Sequence, residues 1–324
     1  MKSAIAFALL GFAAATPMGE FEHEFIKFVA KHNRRYATKE EYNFRLNEFS
    51  RNAKFIEEFN KRGSKQTVAH NHMSDWTAEE YRNLLGYRPH LRDVDTPRIY
   101  AVDEPANATT VDWRSKGAVT HVKDQGRCGS CWTFSSTGSL EGRHFQKSGV
   151  LTSFSEQQLV DCCNNGVGSC YGSQGCEGGI MDEALTYSQT YDLMTESDYP
   201  YTAQDGSCQY AGAGTGAGYT NSRKVDITPR SKHAFKASIA QGPTSIAIEA
   251  DQMAFQFYDG GVLDSGCGDQ LDHGVLAVGY GVQNGEEYAL VKNSWGPRWG
   301  DSGYVKISLD NDSCGLMNQP VRPI

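Results

Sequence analysis

The chain has 324 residues, 39% of them hydrophobic, which is enough to bury a core in one large domain or two smaller ones and too apolar for a disordered or fibrous protein. A formal net charge of −8, a pI near 5.6 and the lack of any long run of Lys or Arg exclude the electrostatic footprint of a nucleic-acid binder. An acidic compartment would bring such a chain closer to neutrality.

The first residues have the pattern of a signal peptide. Lys2 supplies the positive start, Ala4 to Ala15 are almost wholly apolar, and Ala13, Ala14 and Ala15 offer small residues for cleavage. The stretch is about a dozen residues where roughly 20 are needed to span a bilayer, so a signal over residues 1–15 and entry into the secretory pathway are expected. No other segment reads as a membrane span. Cys128, Cys131, Cys162, Cys163, Cys170, Cys176, Cys208, Cys267 and Cys314 all follow residue 127. In a secretory compartment they should be mostly disulfides, and an odd total leaves at least one thiol over.

Residues 20–62 carry two helical patterns. The second places Glu41, Arg45, Phe49, Asn52, Ile56 and Asn60 on one face. Glu, Arg and two Asn make a poor plain core and predict a polar network that fixes how this helix docks. Residues 88–110, with Pro89, Pro97, Pro105 and little periodicity, read as an extended linker open to cleavage. Residues 130–147 predict a helix stopped near Gly149, and Ser155 with Gln158 forms a capping-box signature for another ending near Asp161. Beyond about residue 220 the signals turn strand-like, at 245–248, 274–279, 288–292 and 303–307. Residues 211–218, alternating Gly with small residues, read as a loop without function.

Cys128-Gly129-Ser130-Cys131 has three readings on its own: a redox pair, half a zinc site, or a disulfide cysteine beside a nucleophile. No thioredoxin-like context and no second close Cys or His pair is evident. The third reading uses the odd count, since eight cysteines can pair and Cys131 remains. Cys131 also sits where a helix should start, which favours its thiolate. Lowering a thiol by about 4 to 5 units takes about 5 to 7 kcal/mol, and a helix terminus supplies at most about 2. A cationic partner, an imidazolium, must supply most of the rest. His121, His144, His233 and His273 follow residue 110. His273 stands apart, at the mouth of an apolar strand beside Gly274, and Asn293 could accept from its ring and fix the tautomer without adding charge.

Gln125-Gly126-Arg127-Cys128-Gly129-Ser130-Cys131-Trp132, Asp272-His273-Gly274 and Asn293-Ser294-Trp295-Gly296 resemble the three signature blocks of the papain and cathepsin L family of cysteine proteases. The similarity spans about residues 20 to 324, and the Glu41 to Asn60 stripe resembles the propeptide signature of the cathepsin L-like branch. The resemblance implies an α+β, papain-like two-domain fold. A helical left domain (about 116–217) and a β-barrel-like right domain (about 218–313) flank a cleft, behind a helical N-terminal propeptide. It further implies an inhibitory propeptide over 16–106 and a mature peptidase domain over 107–324.

By position, the resemblance implies that Cys131 is the nucleophile, His273 its base, Asn293 the orienter of that base, and Gln125 an oxyanion donor together with the Cys131 backbone N–H. Trp295 would shield the His273–Asn293 pair. Gly178 and Gly179 would expose backbone to an extended substrate, and Ile180, Met181, Ala247, Leu271 and Gly274, with Gln319 at the base, would line the main specificity pocket. Five of those six favour a bulky apolar side chain, whereas Gln319 is polar where many relatives have a small or apolar residue. Disulfides Cys128–Cys176, Cys162–Cys208 and Cys267–Cys314 are implied, leaving Cys163 and Cys170 for a local bridge. The adjacent Cys162 and Cys163 leave open which takes the distant partner.

The implied enzyme is an endopeptidase needing no metal or organic cofactor, bell-shaped in its pH dependence, and a monomer. Its expected partners are peptide and protein substrates, its own propeptide and cystatin-type inhibitors. Its expected place is a lysosome-like or digestive vacuole, or outside the cell.

The stretch from Ala69 to Asp75 resembles a second propeptide motif but has Ala and Met where the family usually has Gly and Phe, and its His70 and His72 are candidates for acid-driven loosening. Asn107-Ala108-Thr109 and Asn311-Asp312-Ser313 fit the N-glycosylation pattern. An exopeptidase would add a loop or tether that is not evident. A non-enzymatic relative would lack one of Gln125, Cys131, His273 or Asn293, and a thiol oxidoreductase would use Cys128 with Cys131.

Overall fold

In a computed structural model of the protein, the described residues are 19–93, 98–101, 108–164, 166–167, 170–210 and 219–324. The expected signal at 1–15, the start of the pro-region at 16–18, Pro97, Pro105, Asn107 with the expected processing junction, and the 211–218 loop lie outside them.

The N-terminal part is helical. Helix α1 (Glu22–Lys31) and the longer α2 (Lys39–Lys61) clasp an aromatic core of Phe21, Phe25, Phe28 and Phe49. Thr38 begins α2 by accepting from the Glu41 N–H, which satisfies one of the free donors of the first turn. The polar stripe of α2 grips the chain that follows. Arg45 forms a two-pronged pair with Glu80, Asn52 donates to the Ser74 carbonyl, and the Asn60 amide bonds both backbone groups of Val68. Those bonds align β1 (Gln66–Val68), which pairs with a strand of the C-terminal half, and α3 (Ala78–Arg82), which carries a full capping box of Thr77 and Glu80.

The described residues between 88 and 101 are not a plain extended linker. Pro89–Asp93 form a 3-10 helix, and Ile99 and Ala101 bond Asp226 through the backbone. The burial of Arg92 draws this segment down, a tertiary interaction that local sequence periodicity does not carry.

After β2 (Val111–Asp112), the helical half consists of α4 (Cys131–Ser148), α5 (Glu156–Cys162) and α6 (Met181–Tyr187). Helix α4 is buried all round for its first twelve residues and ends at Gly149, whose φ of 75° suits a glycine stop. Gly138 lets it approach the sheet: a Cβ there would lie 2.6 Å from Leu276. Ser155 caps α5 through the Gln158 N–H, but Gln158 does not close the box. Its amide instead bonds the Tyr187 hydroxyl and the backbone of Asp192 and Met194, because the side chain is buried between segments.

The second half contains β3 (Lys224–Asp226), α7 (Lys232–Gln241), β4 (Thr244–Ile248), α8 (Met253–Gln256), β5 (Tyr258–Leu263), β6 (His273–Gln283), β7 (Glu286–Lys292), β8 (Tyr304–Ser308) and β9 (Val321–Pro323). Among the described residues the sheet runs β1-β5-β8-β7-β6-β4-β9-β3, with β2 added on β6. Every pairing is antiparallel except β5 with β8. One core lies within the sheet half and one around α4, α5 and α6. Helix α7 went unread in the sequence, its apolar stripe being short and weak.

Four disulfides, Cys128–Cys176, Cys162–Cys208, Cys163–Cys170 and Cys267–Cys314, leave Cys131 as the free cysteine. In a loop-entropy account each of the three that close loops of 46 to 48 residues contributes about 4 kcal/mol. The Cys128–Cys176 bridge also clamps the turn before Cys131 to the Gly178–Gly179 segment.

Candidate active site

Cys131 is the first residue of α4, and His273 is the first residue of β6. The two elements meet through Gly274. Its N–H donates to the Cys131 sulfur at 3.3 Å, and a Cβ in its place would lie 3.2 Å from the Trp132 Cα and 3.1 Å from the Met181 sulfur. Strands β6 and β7 are antiparallel neighbours, so Asn293, just past the end of β7, returns to the start of β6. There His273 Nε2 lies 2.8 Å from Asn293 Oδ1. That oxygen can only accept, and it also takes the Ser294 N–H at 2.8 Å. The Nε2 atom therefore carries the proton, leaving Nδ1 as the basic atom. Nδ1 is buried and has no hydrogen-bond partner among the described residues. Trp295 stacks on the imidazole at 4.8 Å between centroids and keeps water from the His273–Asn293 bond.

Gln125 is fully buried and its amide is oriented by two donors. Its Oε1 accepts from Ser294 Oγ at 2.7 Å and from Trp295 Nε1 at 3.1 Å. Its Nε2 donates to the Cys128 carbonyl at 2.8 Å and to the Leu84 carbonyl at 2.9 Å. Ser294 was not singled out in the sequence, although it lies inside the Asn293 block. Neither was Tyr201, whose hydroxyl bonds the Gln125 carbonyl and Ser130. Tyr201 sits in no motif, so nothing local marks it.

The N-terminal segment fills the cleft. Gly86 O accepts from the Gly179 N–H at 2.9 Å, the Arg88 N–H donates to Gly179 O at 3.1 Å, and the Tyr87 N–H donates to the Asp272 carbonyl at 2.9 Å. Gly86 packs on the Gly129 carbonyl, two residues before Cys131, and Cys131 is fully buried. Burial under this segment pushes the Cys131 thiol up to about 11, the Gly274 and Gly86 N–H groups pulling the other way. The same burial lowers His273 to about 4 against the opposing bond to Asn293. Both groups are neutral here, so the ion pair that the sequence argument calls for is suppressed in this form by desolvation.

Tyr87 enters the pocket expected to set specificity. It is buried with Ile180, Met181, Ala247 and Leu271, and its hydroxyl donates to Gln319 Oε1. The predicted site residues thus fall into two adjoining groups. Gln125, His273, Asn293 and Trp295 are linked by hydrogen bonds and a ring stack, with Cys131 joined to them through the Gly274 N–H, while Gly178 and Gly179 lead to Ile180, Met181, Ala247, Leu271, Gly274 and Gln319. No group of three or more His, Cys, Asp or Glu suited to a metal occurs among the described residues.

Residues 107–324 match the family described as papain family cysteine protease, and residues 25–81 match the cathepsin propeptide inhibitor domain. The chain is 43% identical to digestive cysteine proteinase 2 of Homarus americanus, with all of both chains covered. It is 41% identical to cathepsin L of Sarcophaga peregrina, covering 95% of this chain and 96% of that one. Digestive procathepsin L 3 of Tenebrio molitor larval midgut has a similar structure, with a TM-score of 0.81, 36% identity and coverage of 94% and 99%. With both the peptidase and the propeptide regions matched, the chain belongs to the papain family of cysteine proteases, as a cathepsin L-like precursor with a papain-like fold.

Proposed function

We propose that the precursor matures by losing residues 16–106, after removal of a signal at 1–15, to give a monomeric endopeptidase of residues 107–324 that cuts peptide bonds through Cys131, His273 and Asn293. The observation that carries this is Cys131 itself. It is the cysteine left outside four disulfides, at a helix start, bonded by the N–H of the residue that follows His273, whose partnered Nε2 leaves Nδ1 basic, and all three side chains are buried.

Removal of that segment readmits water and reverses the desolvation that holds both groups neutral. The Cys131 proton passes to His273 Nδ1, and the α4 terminus and the Gly274 N–H stabilise the thiolate. Thiolate attack on a peptide carbonyl gives a tetrahedral oxyanion, held by Gln125 Nε2 and the Cys131 backbone N–H. The bond to the leaving amine breaks as His273 returns its proton, and water hydrolyses the acyl-enzyme. The main pocket takes a bulky side chain, as Tyr87 does here. Substrates are peptides and proteins, and cystatin-type inhibitors would approach the same cleft. The matches to digestive and cathepsin-like proteases favour the secretory pathway, leading to an acidic digestive vacuole or to export, with acid as the trigger of maturation. No helix among the described residues is long and apolar enough to cross a membrane.

The test compares acid-processed wild type with Cys131→Ala on fluorogenic Phe-Arg and Arg-Arg amides at about pH 5.5, inside the window where a lowered thiol and a protonated imidazole coexist. Hydrolysis should disappear in Cys131→Ala. A folded, processed wild type that hydrolyses neither amide would refute the assignment.

A further inference from the structure

Arg92, on the 3-10 turn of the pro-segment, is almost wholly buried, and its partners are on the peptidase part of the chain. Its Nε lies 3.1 Å from Asp182 Oδ2, and its guanidinium also pairs with Asp226, a carboxylate whose side chain is only 2% exposed. Lys224 is a second cation paired with them, 2.9 Å from Asp182 and 3.4 Å from Asp226. In the precursor two carboxylates thus face two cations.

Asp182 follows Met181 of the main pocket, and Asp226 lies on β3, which pairs with β9 just beyond Gln319. The Arg92 guanidinium lies close enough to the Tyr87 hydroxyl to bear on its acidity. The acidic pair therefore stands behind the inner end of the pocket that Tyr87 fills. What covers Asp226 belongs to the pro-segment as well: Arg92 sits on its carboxylate, and Ile99 and Ala101 bond its backbone.

We propose that in the mature enzyme Asp182 and Asp226 form an anionic compartment at the inner end of the main pocket that holds the guanidinium of a basic substrate side chain, in the place Arg92 takes in the precursor. The proposal rests on the reading that residues 16–106 are removed. Loss of Arg92 leaves two carboxylates that had converged on one guanidinium facing a single ammonium, a net negative site that attracts a replacement cation. Planar guanidinium suits two carboxylates better than a point charge does. An extended Arg side chain is slightly longer than Tyr, so an arginine entering where Tyr87 lies brings its charge to that end. Gln319 then acts as a polar gate, able to accept from a phenol or a guanidinium alike.

The experiment uses acid-processed enzyme and three peptide amides that differ only at the main-pocket residue, which is Arg, its uncharged isostere citrulline, or Leu. Wild type should favour Arg over citrulline by roughly tenfold in kcat/KM, the scale of one charge-assisted contact. Asp226→Asn and, separately, Asp182→Asn should each bring that ratio to within about twofold while the Leu amide is still cut. Asp182 is partly exposed, so its variant carries the test if Asp226→Asn does not fold. Equal use of Arg and citrulline by wild type, or a preference that survives both substitutions, overturns the proposal.

If no amide is cut, the peptidase reading is what fails. The compartment is then judged by binding of the arginine and citrulline peptides to processed Cys131→Ser, where tighter arginine binding supports it and equal binding overturns it.

Discussion

Replacing His72 by Gln in the full-length precursor should weaken the acid trigger proposed for maturation. His72 is half-buried where the pro-region meets the peptidase part, with its ring edge-on to Trp76 at 5.9 Å and its carbonyl bonded by Arg34. Burial lowers its pKa to about 4. Asp124 opposes the shift, and Arg34 and Arg298 add to it. Because the docked pKa lies below the free value of about 6.5, docking favours the neutral ring. The stability gained from it is complete above pH 6.5 and is lost as pH falls from there toward 4. At pH 5 the loss from this one group is about 2 kcal/mol, or roughly 30-fold in the docked-to-released ratio, rising toward about 3 kcal/mol at lower pH.

His70 works in the same direction. It is stacked on Phe49 at 4.3 Å and bonded to Ser74 Oγ, and it is lowered to about 4 by burial and by Lys31. His32, lowered to about 4 by burial with Lys31, Arg34 and His72 adding, puts further charge on the same face in acid. The assay is the rate of precursor conversion between pH 4 and 7.5, with latency at pH 7.5 as the check that the variant is still docked. In His72→Gln the rise in rate between pH 7 and pH 5 should shrink by about tenfold or more, and more again with His70→Gln added. Superimposable pH profiles for wild type and the double variant would refute this reasoning.

Gly86→Ala should unseat the pro-segment, since a Cβ there would lie 1.7 Å from the Gly129 carbonyl oxygen. The precursor should then hydrolyse small amides before conversion, where wild type is latent. Gln319→Leu removes the acceptor of the Tyr87 hydroxyl, so the processed variant should lose about three- to tenfold in its use of a main-pocket Tyr relative to Phe, the worth of one hydrogen bond. Gln125→Ala should lower kcat by about 10²- to 10³-fold with little change in KM, as expected for an oxyanion donor. Trp295→Phe frees one of the two groups that orient the Gln125 amide, and kcat for this variant should fall between wild type and Gln125→Ala.

The odd cysteine count and a helix start at Cys131 favour the nucleophile among the three readings of its Cys128–Cys131 block, which the family resemblance then settles, and the stripe on α2 announces a docking network because polar side chains at helical spacing have few other uses. The α4 stop at Gly149 and the strands near 245, 275 and 290 were legible for the same reason: glycine geometry and period-two apolar runs are local properties. His273 and Asn293 were not joined by spacing. Twenty residues separate them, and only the antiparallel return of β7 beside β6 brings them within 2.8 Å. Without the resemblance Asn293 would have remained only a candidate acceptor for the His273 ring. Gln158 has a capping-box position, but burial beside Tyr187 redirected its amide.

The largest departure lies in residues 88–101. Their prolines and mixed charge suggest an open linker, yet Arg92 descends onto Asp182 and Asp226, and that pairing depends on residues 90 and 134 positions away. Local chemistry, meaning cysteine parity, helix caps and apolar period, is written in short windows and can be read from the chain. The neutral state of Cys131 and His273, the seat of Tyr87 and the burial of Arg92 depend on which distant surfaces exclude water from them, and only the tertiary structure decides that.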